Sequence, residues 1–273
     1  MNPLHLNIPQ TLKVLEVFLR DELGRVGFKK AVIGLSGGVD SALSTYLAAR
    51  ALSARIVHLL LLPFKTSSPE TLSDSMKVVE DLGVSHEVVE ITPMTEPYFD
   101  ANPDMTNLRR GNVMARQRMI VLYDRSAKLS ALVIGTSNKT EALLGYTTQF
   151  GDNASALNPI GDLYKTQVWQ LSEEVGVPKS ILEKAPSADL WTGQTDEQEM
   201  GISYRDVDLL LYYMIDQRET NEELIKRGYD SEYIKRIQKM VIRTQFKRLP
   251  PVIAKVSNRT INTDFRYPRD WGS

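Results

Sequence analysis

A chain of 273 residues without a single cysteine is long enough for one or two domains around a substantial core, and it excludes disulfide frameworks, thiol nucleophiles and cysteine-held iron–sulfur clusters. Its 33 basic and 34 acidic residues leave a formal charge of −1, so no whole-chain field points to nucleic acid. Residues 1–10 lack the basic start and apolar run of a secretory signal, and the apolar stretch 56–64 is far too short for a membrane span, so a soluble cytoplasmic protein is the expectation.

Residues 11–23 carry apolar side chains at helical spacing and end at Gly24 and Gly27, which predicts an opening helix. Residues 31–35 then read as a buried strand and 41–52 as a helix, with a glycine-rich turn between them. The alternation continues with a strand over 56–62, a helix over 70–82, a strand over 86–91, a helix over 114–128 and a strand over 131–135. Strands separated by helices of this length predict a parallel sheet, because each crossover must bring the chain back in the same direction. The expected fold class is α/β, a doubly wound parallel sheet with helices on both faces and a helical C-terminal extension. Helices are expected in that extension over 163–174, 177–182, 204–217, 221–226 and 231–246, the last stopped by Pro250 and Pro251. The stretch 185–201 is rich in turn residues and carboxylates, and the whole of 1–273 reads as a single domain.

The sharpest motif is Ser36-Gly37-Gly38-Val39-Asp40-Ser41, placed where a strand hands over to a helix. Two glycines permit a tight turn and close backbone approach, and the unpaired amides of the helix start attract an anion. Ser36 and Ser41 add hydroxyl donors for phosphate oxygens. Asp40 beside bare phosphate would be repelled, so a magnesium ion is the natural companion of a polyphosphate there. The chain has no Gly-x-x-x-x-Gly-Lys-Ser/Thr segment, and the turn lacks the Gly-x-Gly-x-x-Gly spacing of dinucleotide folds.

Further residues fit two readings each. In Gly135-Thr136-Ser137-Asn138-Lys139-Thr140-Glu141, Thr136 and Glu141 sit beyond a strand end where ligands gather, yet Thr136 or Ser137 also suits a plain helix cap. Lys165 lies at a helix start, where the local dipole disfavours it unless a phosphate compensates or the side chain turns to solvent. Asp189, Asp196, Glu197 and Glu199 form either a solvated acidic face or a lid that keeps water from a reactive intermediate. The tract Arg109, Arg110, Arg116 and Arg118 is either hydrated surface or an anion clamp. Lys247 and Arg248 suit a helix C-terminus, and Trp169, Trp191 and Trp271 suit packing or stacking equally.

The Ser-Gly-Gly-x-Asp-Ser wording resembles the pyrophosphate loop of the N-type ATP pyrophosphatases, which split ATP into AMP and pyrophosphate. Over essentially its whole length, through segments 36–41, 111–123, 135–141, 151–152, 158–167, 186–201 and 259–271, the chain resembles the ammonia-dependent NAD synthetases. The resemblance implies a homodimer that converts deamido-NAD, ATP and ammonia into NAD, AMP and pyrophosphate through an adenylated carboxylate. It implies ATP contacts from Ser36, Gly37, Gly38, Ser41, Thr136, Lys165 and Ser187, and magnesium held by Asp40 and Glu141. It implies deamido-NAD contacts from Asn112, Arg118, Tyr123, Asp152, Glu199 and Lys247, shared across the dimer interface, with Asp40, Lys165 and Asp152 carrying the catalysis. Two positions depart from the family pattern: Phe246 replaces a common histidine, and Ala156 replaces a common aspartate. With no cysteine to release ammonia from glutamine, free ammonia is the expected donor. Two competing readings are a different adenylating amidotransferase of the GMP-synthetase type and a nucleotide-binding module without catalysis.

Overall fold

The computed structural model describes residues 2–187 and 195–261. Helix α1 (Ile8–Arg25) starts earlier than the periodicity indicates, because Asn7 accepts the Gln10 amide and a proline occupies the first turn. Then come β1 (Lys30–Gly34), α2 (Val39–Leu52), β2 (Val57–Leu61), α3 (Pro69–Leu82) and β3 (Ser85–Val88). Two helices, α4 (Thr92–Asp100) and α5 (Asn107–Leu129), lead to β4 (Ala131–Ile134). Helix α5 begins well before residue 114, since Thr106 caps it by accepting the Arg109 amide. Beyond the last strand lie α6 (Lys139–Leu144), α7 (Lys165–Val175), α8 (Lys179–Leu182), α9 (Asp196–Met200), α10 (Tyr204–Leu211), α11 (Asn221–Lys226) and α12 (Ser231–Arg243).

The four strands pair in parallel in the order β3-β2-β1-β4. The chain moves outward from β1 to β3, then returns through α5 to lay β4 on the other side of β1. Loops leaving β1 and β4 therefore diverge, and a crevice opens at their carboxyl ends. Alternation along the strands feeds two cores. Ala31, Ile33, Val57, Leu59 and Leu61 pack with residues of α1, α2 and α7, whereas Val32, Leu60 and Leu62 pack with Phe99 of α4 and with Met114 and Val121 of α5. A third cluster joins Leu144 of α6 to Tyr204, Val207, Leu210 and Leu211 of α10 and to Ile234 and Ile237 of α12.

Several expected boundaries shift for identifiable reasons. The strand expected over 86–91 ends as a ladder at Val88, but the chain stays alongside β2, with the Val89 amide donating to Leu61 O and Ile91 to Pro63 O, each at 2.9 Å. The single helix expected over 204–217 is α10 followed by a π-helical turn at Tyr212–Asp216. The helix expected over 231–246 stops at Arg243 and tightens into a 3-10 turn at Gln245–Arg248. Helix α4 lies where no helix was expected, because Pro93 and Pro97 mask its pattern; Pro93 is tolerated in the first turn.

Leu59 is wholly buried in the middle of the sheet. Leu59→Ala should lower the unfolding free energy by about 2–5 kcal/mol, read as a reduced urea midpoint with an unchanged slope.

Candidate active site

The chain leaves β1 at Gly34 and turns sharply through Ser36, Gly37 and Gly38 into α2. Gly37 has φ +73°, and a Cβ there would stand 2.5 Å from the Thr71 carbonyl oxygen of α3, so both conformation and space demand glycine. The hydroxyls of Ser36 and Ser41 are 3.0 Å apart, Ser41 Oγ accepts the Ser36 amide at 3.1 Å, and Ser36 Oγ accepts the Gly38 amide at 3.4 Å. These bonds hold the loop open above the first turn of α2. Gly38, its cap, supplies no side-chain bond, which leaves the first amides of the helix facing the cavity as an anion-attracting end.

That loop is one wall of a cavity of about 560 Å³ at the strand ends, which also takes in Asn112, Arg118, Thr136, Glu141, Asp152, Lys165, Ser187, Asp196, Glu199 and Lys247. At its floor three segments distant in sequence meet. Lys165, the first residue of α7 and only 2% exposed, directs Nζ to the Asp40 carboxylate and to Glu141 Oε1, the latter at 3.2 Å. Its ammonium also lies 5.1 Å from the Tyr204 ring centroid. Asn138 caps α6 by accepting the Glu141 amide at 2.9 Å and donates to Asp40 Oδ1 at 2.8 Å, so one amide orients both acidic residues.

Burial by itself would lower the pKa of Lys165, but Asp40 and Glu141 outweigh it and raise it above the ordinary lysine value. The lysine is therefore an ammonium at neutral pH. Burial, with Asp40 and Asp196 close by, pushes Glu141 above the usual carboxylate range, while Lys165 opposes the shift. Asp196 is also raised, first by burial, and its carboxylate accepts the Tyr204 hydroxyl at 3.2 Å. Burial and the crowding of three acidic side chains around one ammonium make Glu141 and Asp196 hold their protons more tightly than usual, and Asp40 and Glu141 present hard oxygen donors. That donor set suits magnesium, which needs one or two carboxylates beside phosphate and water oxygens.

The upper part of the cavity is shaped by the loop after α6. Asp152 Oδ1 accepts the Thr148 amide at 2.7 Å, and Asn112 Oδ1 accepts the Thr148 hydroxyl at 2.7 Å. Burial raises Asp152 above its ordinary value. Lys247 Nζ donates to the carbonyls of Gly145 and Thr147, each at 2.7 Å, and burial lowers its pKa. Arg118 donates to Leu62 O at 3.0 Å, and Tyr146 to Glu199 Oε2 at 2.7 Å.

Of the residues singled out from sequence, Tyr123 stands outside this wall, on α5 and 39% exposed, and Gly37 shapes the loop without lining the cavity. Solvent exposure is not the fate of Lys165, nor of Asp196, which is only 5% exposed and starts α9 instead of belonging to an open acidic face. The cap of α6 is Asn138, not Thr136 or Ser137. In the arginine tract, Arg109 pairs with Asp104 at the surface, Arg110 lies 4.9 Å from the Phe99 ring, and Arg116 donates to Gln149 O; only Arg118 reaches the cavity. Arg248 binds the Val241 carbonyl near the end of α12, as a helix-terminus role requires, and the Ala142 and Leu143 carbonyls of α6 as well. Trp169 packs edge-on against Tyr204 at 6.1 Å. Asp189, Trp191 and Trp271 lie outside the described residues. Asn138, Tyr146, Tyr204 and Asp208 escaped notice; an asparagine three residues before an acidic one at a helix start was the signal available for Asn138.

The sequence profile of the NAD synthase family matches residues 11–251. The NH(3)-dependent NAD(+) synthetase of Trichlorobacter lovleyi is 59% identical over 272 residues, which is 100% of both chains. Among solved structures, NMN synthetase from Francisella tularensis superposes with a TM-score of 0.81 at 32% identity, covering 92% of this chain and 99% of that one. The NH3-dependent NAD synthetase from Campylobacter jejuni, in complex with the nitrate ion, superposes with a TM-score of 0.79 at 32% identity, covering 92% and 100%.

Gly37→Ala should cost more than Gly83→Ala. Both positions have positive φ, but a Cβ at Gly83 meets nothing within 4 Å. Strain alone is worth about 1–2 kcal/mol at each site, and the Thr71 clash adds to it only at Gly37, which urea unfolding of the two variants checks.

Proposed function

The chain belongs to the NAD synthase family, and from that premise we propose a mechanism in which the cavity at the ends of β1 and β4 activates the carboxylate of deamido-NAD with ATP. The reaction is ATP-dependent amidation of deamido-NAD by ammonia, giving NAD. The observation that carries the mechanistic reading is the meeting of Asp40 and Glu141 on the Lys165 ammonium beneath the glycine loop.

In this reading the hydroxyls of Ser36 and Ser41 and the first amides of α2 grip the leaving pyrophosphate within a turn that Gly37 and Gly38 make possible, with Thr136 and Ser187 adding contacts to ATP. Asp40 and Glu141 hold magnesium, which supplies neutralisation of the triphosphate charge when bound. A nicotinate carboxylate oxygen attacks the α-phosphorus in line, and the bond to the β-phosphate oxygen breaks. Lys165 balances the charge that builds on the transferring phosphoryl group and the departing pyrophosphate. The carboxylate is thereby converted from an inert group into an acyl adenylate. Ammonia then attacks its carbonyl carbon, and AMP leaves with the former carboxylate oxygen. Asp152 orients the incoming ammonium or takes its proton; its burial and raised proton affinity support this role. Asn112, Arg118, Glu199 and Lys247 line the wall on which the dinucleotide would lie.

The functional unit we propose is a homodimer of a single domain spanning 1–273, acting in the cytoplasm. The exposed apolar residues Leu108, Ile120 and Tyr123 along α5 support an interface there, across which Tyr123 would serve the neighbouring cavity. Among the described residues, no helix is long and apolar enough to cross a membrane.

Incubation with deamido-NAD, MgATP and 15N-ammonium should yield NAD, AMP and pyrophosphate in equal amounts, with the label in the product amide. Pyrophosphate without NAD, or label arriving only from glutamine, would contradict the reading. The Francisella tularensis relative carries the name NMN synthetase, so the same assay should include nicotinic acid mononucleotide as competitor. Lys165→Met should lower kcat by about 10²–10³, and Asp40→Asn and Glu141→Gln should slow magnesium-dependent pyrophosphate release, all read in single-turnover assays.

A further inference from the structure

Asp208 is a wholly buried carboxylate in the middle of α10, and it is not part of the cavity wall. Its Oδ1 accepts the Thr140 hydroxyl at 2.6 Å, and its Oδ2 accepts the Thr166 amide at 2.8 Å. The Thr140 hydroxyl oxygen in turn accepts the Lys165 amide at 3.0 Å. The first two amides of α7, which have no carbonyl partner within their own helix, are thus both answered through one side chain of another helix. Thr140 is also the residue before Glu141, so the same carboxylate ties down the start of α6.

Packing does not require an acid at this position. Tyr204, Val207, Leu210 and Leu211 of α10 are all fully buried in the third cluster, and an apolar neighbour would dock the helix without the expense of desolvating a charge. What the acid adds is direction. A negative group at the N-terminus of α7 is favourable to the helix dipole, and its two bonds fix both the axial position and the rotation of the first turn. Lys165 is the first residue of that turn, and its nitrogen must reach Asp40 and Glu141 together.

We propose that Asp208 is a positioning residue for the phosphoryl-transfer step: through the Thr140 hydroxyl and the Thr166 amide it sets where Lys165 stands. The inference rests on the role given to Lys165 above, and the two can fail separately. A displacement of the lysine by about 1 Å is enough to impair transition-state contact strongly while substrates still bind.

The test is steady-state kinetics on the full chain, well below its unfolding temperature. Asp208→Asn presents an amide NH2 where a donor must be accepted, and it should lower kcat about 10- to 100-fold with KM for ATP and deamido-NAD within about twofold. Should that variant fail to fold, Thr140 decides: Thr140→Val keeps the shape and loses the hydroxyl, so kcat should fall in the same range, whereas Thr140→Ser should restore it to within about threefold of the parent. The specific readout is a double-mutant cycle. In a Lys165→Met background, Asp208→Asn or Thr140→Val should cost little further kcat, because the group they position is already gone. Undiminished turnover in Lys165→Met would remove the premise. A slow Lys165→Met in which the second substitution multiplies the loss by the same factor as in the parent would overturn the positioning role, as would a parental kcat in Thr140→Val.

Discussion

One buried ammonium shared by two carboxylates organises this molecule. Lys165 comes from the start of α7, Asp40 from the start of α2 and Glu141 from the start of α6, and no two of them are close in sequence. The parallel sheet is what makes the encounter possible, since β1 and β4 are neighbours whose exits diverge at their carboxyl ends. Burying this trio is costly unless every member is paired. The surrounding polar groups answer that cost: Asn138 holds Asp40 and the Glu141 amide, Tyr204 faces the ammonium with its ring and Asp196 with its hydroxyl, and Asp208 secures the two helix starts.

The same arrangement separates two tasks within one cavity. The floor, with its fixed charges and the amides of the glycine loop, is suited to a triphosphate and its divalent ion. The upper wall is made by the loop after α6, braced by Asp152 and Lys247 through bonds to its backbone and by Asn112 through the Thr148 hydroxyl. The floor is built from the starts of three helices packed into the cores beneath it, whereas the wall depends on side-chain bonds that brace a loop. Helices α10 and α12 close the third cluster and contribute none of the described residues that line the cavity.

Where sequence and structure part, the cause is tertiary. Helix α4 carries two prolines and so conceals its pattern, and α9 is only five residues long. Asp196 fits either a solvated acidic face or a lid by sequence, because composition cannot distinguish an exposed carboxylate from one folded under a tyrosine; the structure buries it against Tyr204. Asp208 has no motif at all. Its importance lies in two bonds to residues 68 and 42 positions away, a relation that no local pattern encodes.

By itself the sequence determined the alternation of strands and helices, the parallel sheet that follows from it, and the glycine turn carrying Ser36, Asp40 and Ser41, because hydrophobic period and backbone permissiveness are local properties. Whether Lys165 meets solvent or acid, which residue caps α6, and which arginine of the tract enters the cavity were decided only in three dimensions. Those outcomes depend on the desolvation and pairing of charges, and the partners that settle them are brought together only by the crossover of β1 and β4 and by the helices packed against it.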